Sequence, residues 1–483
     1  MKKYRCLCCG YRTIGERGRF EICPICFWED DPYILYGKRN EHGNITSVYY
    51  YNDCDSEDYD GGDILDLESG TNHLLTLRQG RYNFRKFGAF AEDVKEFVRF
   101  PRSSEMKRWR KENCIINDEL VFLSENERIN NMSYKLNKKL VNLVPYDPIT
   151  GHYDIRLDAN ESCFNLSDSL KAKIGKSISQ IDFNRYPDCL AKAPTKAFSE
   201  LYNVPEELIS AGNGSDELIS IIEGCFFEAG DTVVNVSHDF SMYEFYAQLY
   251  EVNVETYQKE ADLTINADKL IAFCREKKAK GLIFSNPCNP TSLGLDRASV
   301  KKIIESLDGC LVILDEAYMD FWDQSVLADV DNYDNLIILK TCSKAIGLAA
   351  VRFGFAVANR TITNAIRAAK SPYNNDTVAQ TIVSDILSEK KYLSDCRDAI
   401  IKNTKQLYSD IVSINGKYGC FEKVYETCTN FVLVKTDEFE KIYRYMLDNS
   451  IAIRKFKGFI RVTSGSAEEN ARFIEVLDGY FRK

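Results

Sequence analysis

Ser343-Lys344 follows an apolar run ending LIIL, and small residues come next (Ala345, Gly347, Ala349, Ala350), with Arg352 eight positions after the lysine. A lysine amine with that much space beside backbone can attack the carbonyl of a flat ligand and hold it as a Schiff base. A second apolar run, LVILD, ends in Asp315, and Tyr318 follows three residues later. An acid at the carboxyl end of a buried strand lies where open α/β sheets bind ligands. Its burial calls for a cationic partner. Ser285-Asn286-Pro287-Cys288-Asn289-Pro290-Thr291 follows a third apolar run and aims Asn289 above the sheet. Gly212-Asn213-Gly214-Ser215-Asp216-Glu217 opens a helical pattern. Backbone N–H groups and the helix dipole favour an anion there. Taken singly, each has a plain reading: a surface lysine, a rigid turn, an ordinary N-cap. Together they are an amine, an acid for a pyridinium nitrogen, donors for a ring phenolate and a phosphate cup. Those are the parts that pyridoxal phosphate requires.

The second constellation is N-terminal. Cys6 and Cys9, then Cys23 and Cys26, form two C-x2-C pairs with 13 residues between them. Gly10 and Pro24 favour the tight bends of zinc knuckles. Four thiolates suit a tetrahedral structural zinc with no open position for a substrate. Cys8 could replace Cys9 as a ligand, and a redox C-x2-C is the lesser alternative. The chain has 17 Cys and 4 His. The other Cys are scattered, which suits a reducing, cytoplasmic compartment rather than a secreted disulfide scaffold.

These groups need elements to hold them. Strands are expected at Asp231–Val236, Gly281–Ser285, Cys310–Leu314, Asn335–Leu339 and Phe353–Ala358. Helical patterns at Asp216–Phe227, Ala298–Ser306 and Thr361–Ala369 lie between them. That alternation predicts an α/β domain with a mostly parallel sheet. The run from Pro372 to Lys483 reads as a smaller α+β part. The expected division is a zinc-binding unit at 1–105, a charged linker at 106–140 and a catalytic part at 141–483. Within the last, a large domain covers about 180–370, and a small one covers about 141–179 and 371–483.

The 483 residues carry a net charge of −10 and are 45% hydrophobic. That excludes a disordered chain and gives no overall basic footprint for nucleic acid. No apolar stretch is long enough for a membrane span, and MKKYRCLCCG has no apolar segment of a secretory signal.

The quoted motifs, with NLVPYDP, LDANES, NRYPD, GNGSDELI, HDFSMY, SIAIRKF and FIRVTSG, resemble the histidinol-phosphate aminotransferase group. That group belongs to the class I/II, fold type I pyridoxal-phosphate aminotransferases. CLCCGYRT, EICPICFWEDD and NHLLTLRQGRYNFRKFGAF resemble the cysteine-rich CPCC family. The first resemblance implies that Lys344 carries the cofactor, Asp315 meets its ring nitrogen, and Asn289 and Tyr318 hold its ring oxygen. Phe240 would cover the ring. Ser215, Asp216, Ser343 and Arg352 would bind the phosphate, with Tyr186 reaching in from the neighbouring subunit of a homodimer. Arg461, helped by Arg454 and Tyr146, would take the anionic end of the amino donor, and a 2-oxo acid would accept the amino group. Four positions depart from the family pattern: Cys288, Ser292, Lys340 and Ala350. A threonine-phosphate-type decarboxylase shares the scaffold and is the alternative enzyme, as is a transaminase for a phosphonate-bearing amine. A ligand-sensing regulator is the alternative outside catalysis. The acidic run Glu29-Asp30-Asp31 and the lack of a basic stripe speak against nucleic acid as its partner.

Overall fold

The computed structural model describes residues 4–5, 12–14, 22–23, 37–39, 45–48, 137–141 and 149–482. The chain divides into two compact units, Met1–Leu136 and Asn137–Lys483. In the first, Tyr4–Arg5 pairs antiparallel with Arg12–Ile14, and Gly37–Arg39 pairs with Ile45–Val48. Cys23 is buried. Cys6, Cys9 and Cys26 lie outside the described residues, and so does Tyr146.

In the second unit we number the strands β1 (Ile155–Leu157), β2 (Ile209–Gly212), β3 (Thr232–Val236), β4 (Asn253–Tyr257), β5 (Gly281–Ser285) and β6 (Leu311–Asp315). They continue as β7 (Leu336–Thr341), β8 (Gly354–Ala358), β9 (Lys423–Val424), β10 (Phe431–Lys435), β11 (Ile451–Phe456) and β12 (Phe459–Thr463). A seven-stranded sheet runs β2-β8-β7-β6-β5-β3-β4, and a five-stranded one runs β9-β10-β12-β11-β1. In the larger sheet only β8 runs against its neighbours. The sheet is mostly parallel, as its alternation with helices predicts.

Its central strands β5 to β8 are largely apolar because both faces are covered. Leu282, Phe284, Val312, Leu314, Leu336 and Ile338 enter one core, while Ile283, Ile313, Ile337 and Leu339 enter the other. The period of two splits each strand between them. The helix Arg297–Ser306 starts at Asp296, whose side chain accepts the Ser299 N–H at 2.8 Å. The five-stranded sheet is two-faced for the same reason. Val432, Val434, Ile460 and Val462 pack under the helices Lys390–Tyr418, Phe439–Asp448 and Ala467–Phe481. Leu433, Phe459 and Arg461, on the alternate positions, line a cavity.

Three expectations need correction. The strands β1, β2, β4 and β9 lie outside the expected set. β7 continues through Lys340 to Thr341. The helices Asp168–Ile178 and Thr377–Leu387 were grouped with the small domain. Instead Leu170, Ile174, Ala379, Val383 and Ile386 share the core of the large sheet. Their apolar stripes fit either sheet equally well, so periodicity alone cannot choose. No helix among the described residues is long and apolar enough to cross a membrane.

Lys340 is 3% exposed. Its Nζ lies 3.0 Å from Asp320 and 3.8 Å from Glu316, with the Tyr202 ring 5.0 Å away. The Tyr202 hydroxyl donates to the same Asp320 carboxylate at 3.0 Å. Removing the lysine strands two carboxylates in low dielectric. Lys340→Met is therefore expected to destabilise the protein by about 3–5 kcal/mol, read as a lowered thermal midpoint.

Candidate active site

A cavity of about 760 Å³ opens at the carboxyl ends of the parallel strands, where β5 ends at Ser285, β6 at Asp315 and β7 at Thr341. Asp315 is 4% exposed. Its carboxylate accepts the Tyr243 hydroxyl at 2.8 Å and the Ala317 N–H at 3.0 Å. Burial pushes its pKa up to about 6 against the pull of those two donors, and the nearby Asp239 pushes the same way. A cation facing this carboxyl would be strongly favoured. Asp239 itself accepts the Ser285 hydroxyl, the Ser285 N–H at 3.0 Å and the Phe240 N–H at 2.7 Å.

The Lys344 amine donates to the Ala159 carbonyl at 2.8 Å and lies 5.8 Å from the centre of the Tyr318 ring. Burial, reinforced by the Arg461 guanidinium, lowers its pKa to about 8. An ordinary lysine sits near 10.4, so this amine is free to act at mildly alkaline pH. Asn160 donates to the Tyr318 oxygen at 2.9 Å and accepts the Thr463 hydroxyl at 3.0 Å. Burial raises the Tyr318 phenol to about 12, so it stays a donor.

The anion cradle forms where the helix Gly214–Phe226 begins. Gly214 (φ +82°) and Arg352 (φ +56°) both take left-handed backbone. Arg352 reaches Ser343 Oγ and Asp216, each at 3.4 Å. A Cβ on Gly354 would fall 2.6 Å from the Ser215 nitrogen, so only glycine lets β8 approach the helix start. Phe240 lines the cavity, edge-on to Tyr243 at 5.6 Å.

Two arginines line the same cavity. Arg454 on β11 and Arg461 on β12 are direct cross-strand partners. Arg461 donates to Asn289 Oδ1 and to the Asp158 carbonyl at 2.6 Å. Its guanidinium lies 5.3 Å from the Phe431 ring. Tyr186 lies outside the lining; it is 80% exposed and stacked on Tyr373 at 4.5 Å.

The motif reading missed Tyr243, Asp239 and Asn160. Tyr243 falls in the helix Met242–Leu249, which carries it to Asp315. HDFSMY and LDANES already contained all three, but their partners lie far along the chain. Among the departures, Ser292 stands at φ +62° where glycine is expected, and its hydroxyl donates to the Glu426 carbonyl at 3.0 Å.

Residues 153–477 match the family model for aminotransferase class I and II. The chain belongs to that family. It is a pyridoxal-phosphate-dependent aminotransferase, and residues 4–48 and 54–105 match the cysteine-rich CPCC model. A histidinol-phosphate aminotransferase of Clostridium novyi (strain NT) is 38% identical over 347 residues, covering 71% of this chain and 96% of the relative. In fold, the aminotransferase unit resembles the histidinol-phosphate aminotransferase of Sinorhizobium meliloti in complex with pyridoxal-5'-phosphate, with a TM-score of 0.65 and 21% identity. That likeness covers 73% of this chain and 99% of that one. The L-threonine-O-3-phosphate decarboxylase of Porphyromonas gingivalis shares the fold at a TM-score of 0.58 and 20% identity, covering 68% and 100% of the two chains.

The lining of this aminotransferase fits the cofactor on its own chemistry. It joins a buried acid, a lysine of lowered pKa and a glycine-dependent anion cradle in one cavity. Tyr243→Phe removes one donor from Asp315, so the carboxyl pKa should rise. The acid limb of the rate profile should then move to higher pH, with a several-fold lower kcat at neutral pH. A pH profile of the variant checks it.

Proposed function

We propose that the enzyme moves an amino group from a small phosphate-bearing amine, histidinol phosphate or a near analogue, to a 2-oxo acid. The observation that carries this is the paired Arg454 and Arg461 in the cavity that also holds Lys344 and Asp315. Two guanidiniums suit a phosphate or carboxylate through bidentate hydrogen bonds.

When bound, pyridoxal phosphate supplies the electron sink at the reacting carbon. The chain's residues do the rest. Ser215, Asp216, Ser343 and Arg352 seat the phosphate. Asp315, ionised above about pH 6, holds a proton on the ring nitrogen. Asn289 and Tyr318 orient the ring oxygen, and Phe240 covers the ring face. Lys344 is the covalent anchor, then the base that takes the proton from the donor carbon bearing nitrogen and returns it.

Two further parts belong to this reading. Phe183, Tyr186 and Tyr373 are exposed aromatics on one unit, and a homodimer would cover them while Tyr186 enters the partner site. Light scattering at twice the chain mass is the expected result. In the N-terminal unit, Cys6, Cys9, Cys23 and Cys26 hold one structural zinc in a cytoplasmic protein. Metal analysis should find about one zinc per chain; a folded unit without metal would overturn this.

A donor panel containing histidinol phosphate and O-phosphothreonine tests the reaction. Amino transfer without carbon dioxide supports it. Carbon dioxide released from O-phosphothreonine would make the enzyme a decarboxylase instead.

A further inference from the structure

One part of the cavity lining has no role in seating the cofactor: His238, Leu263, Leu433, Phe456 and Phe459. It forms where loops of the large sheet meet the hairpin of the small one. His238 follows β3 and Leu263 follows β4, while Phe456 and Phe459 flank the β11–β12 turn. Leu263 packs with Leu433 and Phe459 in one apolar cluster. The His238 ring stands edge-on to Phe459, with centres 5.9 Å apart and planes at 73°.

Both loop residues are held in left-handed backbone, His238 at φ +52° and Leu263 at φ +69°. Non-glycine residues in that region need support from their surroundings. The restraint on His238 is visible. Its carbonyl accepts the Lys259 ammonium at 3.1 Å and the Cys288 thiol at 3.3 Å. Two donors from separate elements fix the backbone, and the residue lines the cavity with its ring against Phe459. A neutral imidazole offers one donor and one acceptor. Aromatic rings beside it favour edge or offset contacts with another ring.

We propose that His238, braced by Phe459, is a specificity-determining residue that holds the side chain of the amino donor by one hydrogen bond and a ring contact. The enzyme thereby selects donors bearing a flat heteroaromatic ring over aliphatic donors of similar charge. This rests on the transaminase reading above.

The test uses the full-length, cofactor-loaded enzyme with two donors, histidinol phosphate (ring) and O-phosphoserine (no ring). His238→Asn removes the ring, and asparagine tolerates left-handed backbone; Phe459→Leu is the second variant. The ratio of kcat/KM for the ring donor to that for the aliphatic donor is expected to fall about 10–100-fold in His238→Asn. Most of the fall should come from KM. Calorimetry on the enzyme loaded with the amine form of the cofactor, which an amino donor cannot convert, should show a matching rise in Kd for histidinol phosphate, and Phe459→Leu should move the ratio the same way. An equal loss on both donors, or an unchanged ratio, overturns the proposal while leaving the transaminase reading intact. A wild type that prefers O-phosphoserine does the same. If neither donor is turned over, the transaminase reading fails for these donors. Calorimetry then decides the role of His238, and equal Kd values in wild type and His238→Asn overturn it.

Discussion

Lys344→Ala leaves a folded protein that no longer transaminates, with the rate down by more than about 10⁴-fold. The side chain has two tasks in the proposed reaction, covalent anchor and base. The guanidiniums in the same cavity, Arg352, Arg454 and Arg461, stay protonated and can serve as neither. The variant should also lose the absorbance of cofactor bound through an amine, and borohydride should no longer fix cofactor to the Lys344 peptide. The wild-type amine has a pKa of about 8, lowered by burial first and Arg461 second. Below that pH it is protonated and cannot attack. Cofactor capture by the apoprotein should therefore rise through about pH 8, well under the range of an exposed lysine. Normal turnover by Lys344→Ala would overturn the assignment.

Asp315→Asn is the second severe change, with an expected loss of about 10²–10⁴-fold in kcat. Asparagine keeps the size of the side chain but cannot ionise, so nothing holds a proton on the ring nitrogen opposite. Stability should move the other way or not at all. The wild-type carboxyl is buried at a cost, seen in its pKa of about 6. A neutral amide lessens that cost, although one of the two donors, Tyr243 or Ala317, would then face an NH₂ group. Thermal unfolding together with kcat separates the cases: a sharp loss of rate in a protein at least as stable is expected. A parallel loss of both would make Asp315 a structural residue.

The large sheet was legible because its strands are short apolar runs that end in chemistry. Gly281–Ser285 falls where its composition places it, and Asp315 closes β6. Buried on both faces, such strands show no alternation, and length and flanking turns identify them. β4 escaped for the opposite reason. NVETY is an edge strand with only Tyr257 fully buried, so its pattern is weak. The site was legible wherever a single residue carries the chemistry, as Lys344 does. It was illegible where a side chain acts through a distant partner. Tyr243 and Asp315 are 72 residues apart, and Asn160 and Tyr318 are 158 apart; no local spacing encodes either pair. His238 is similar, because the donors to its carbonyl, Lys259 and Cys288, lie 21 and 50 residues along the chain.

The most direct measurement of the central claim is a half-turnover. Cofactor-loaded enzyme is mixed with excess histidinol phosphate and no 2-oxo acid, and the cofactor spectrum is followed. The account predicts complete conversion of the aldehyde form to the amine form, with one equivalent of carbonyl product per active site. Adding a 2-oxo acid should then restore the aldehyde form. An unchanged spectrum at saturating histidinol phosphate would contradict the account.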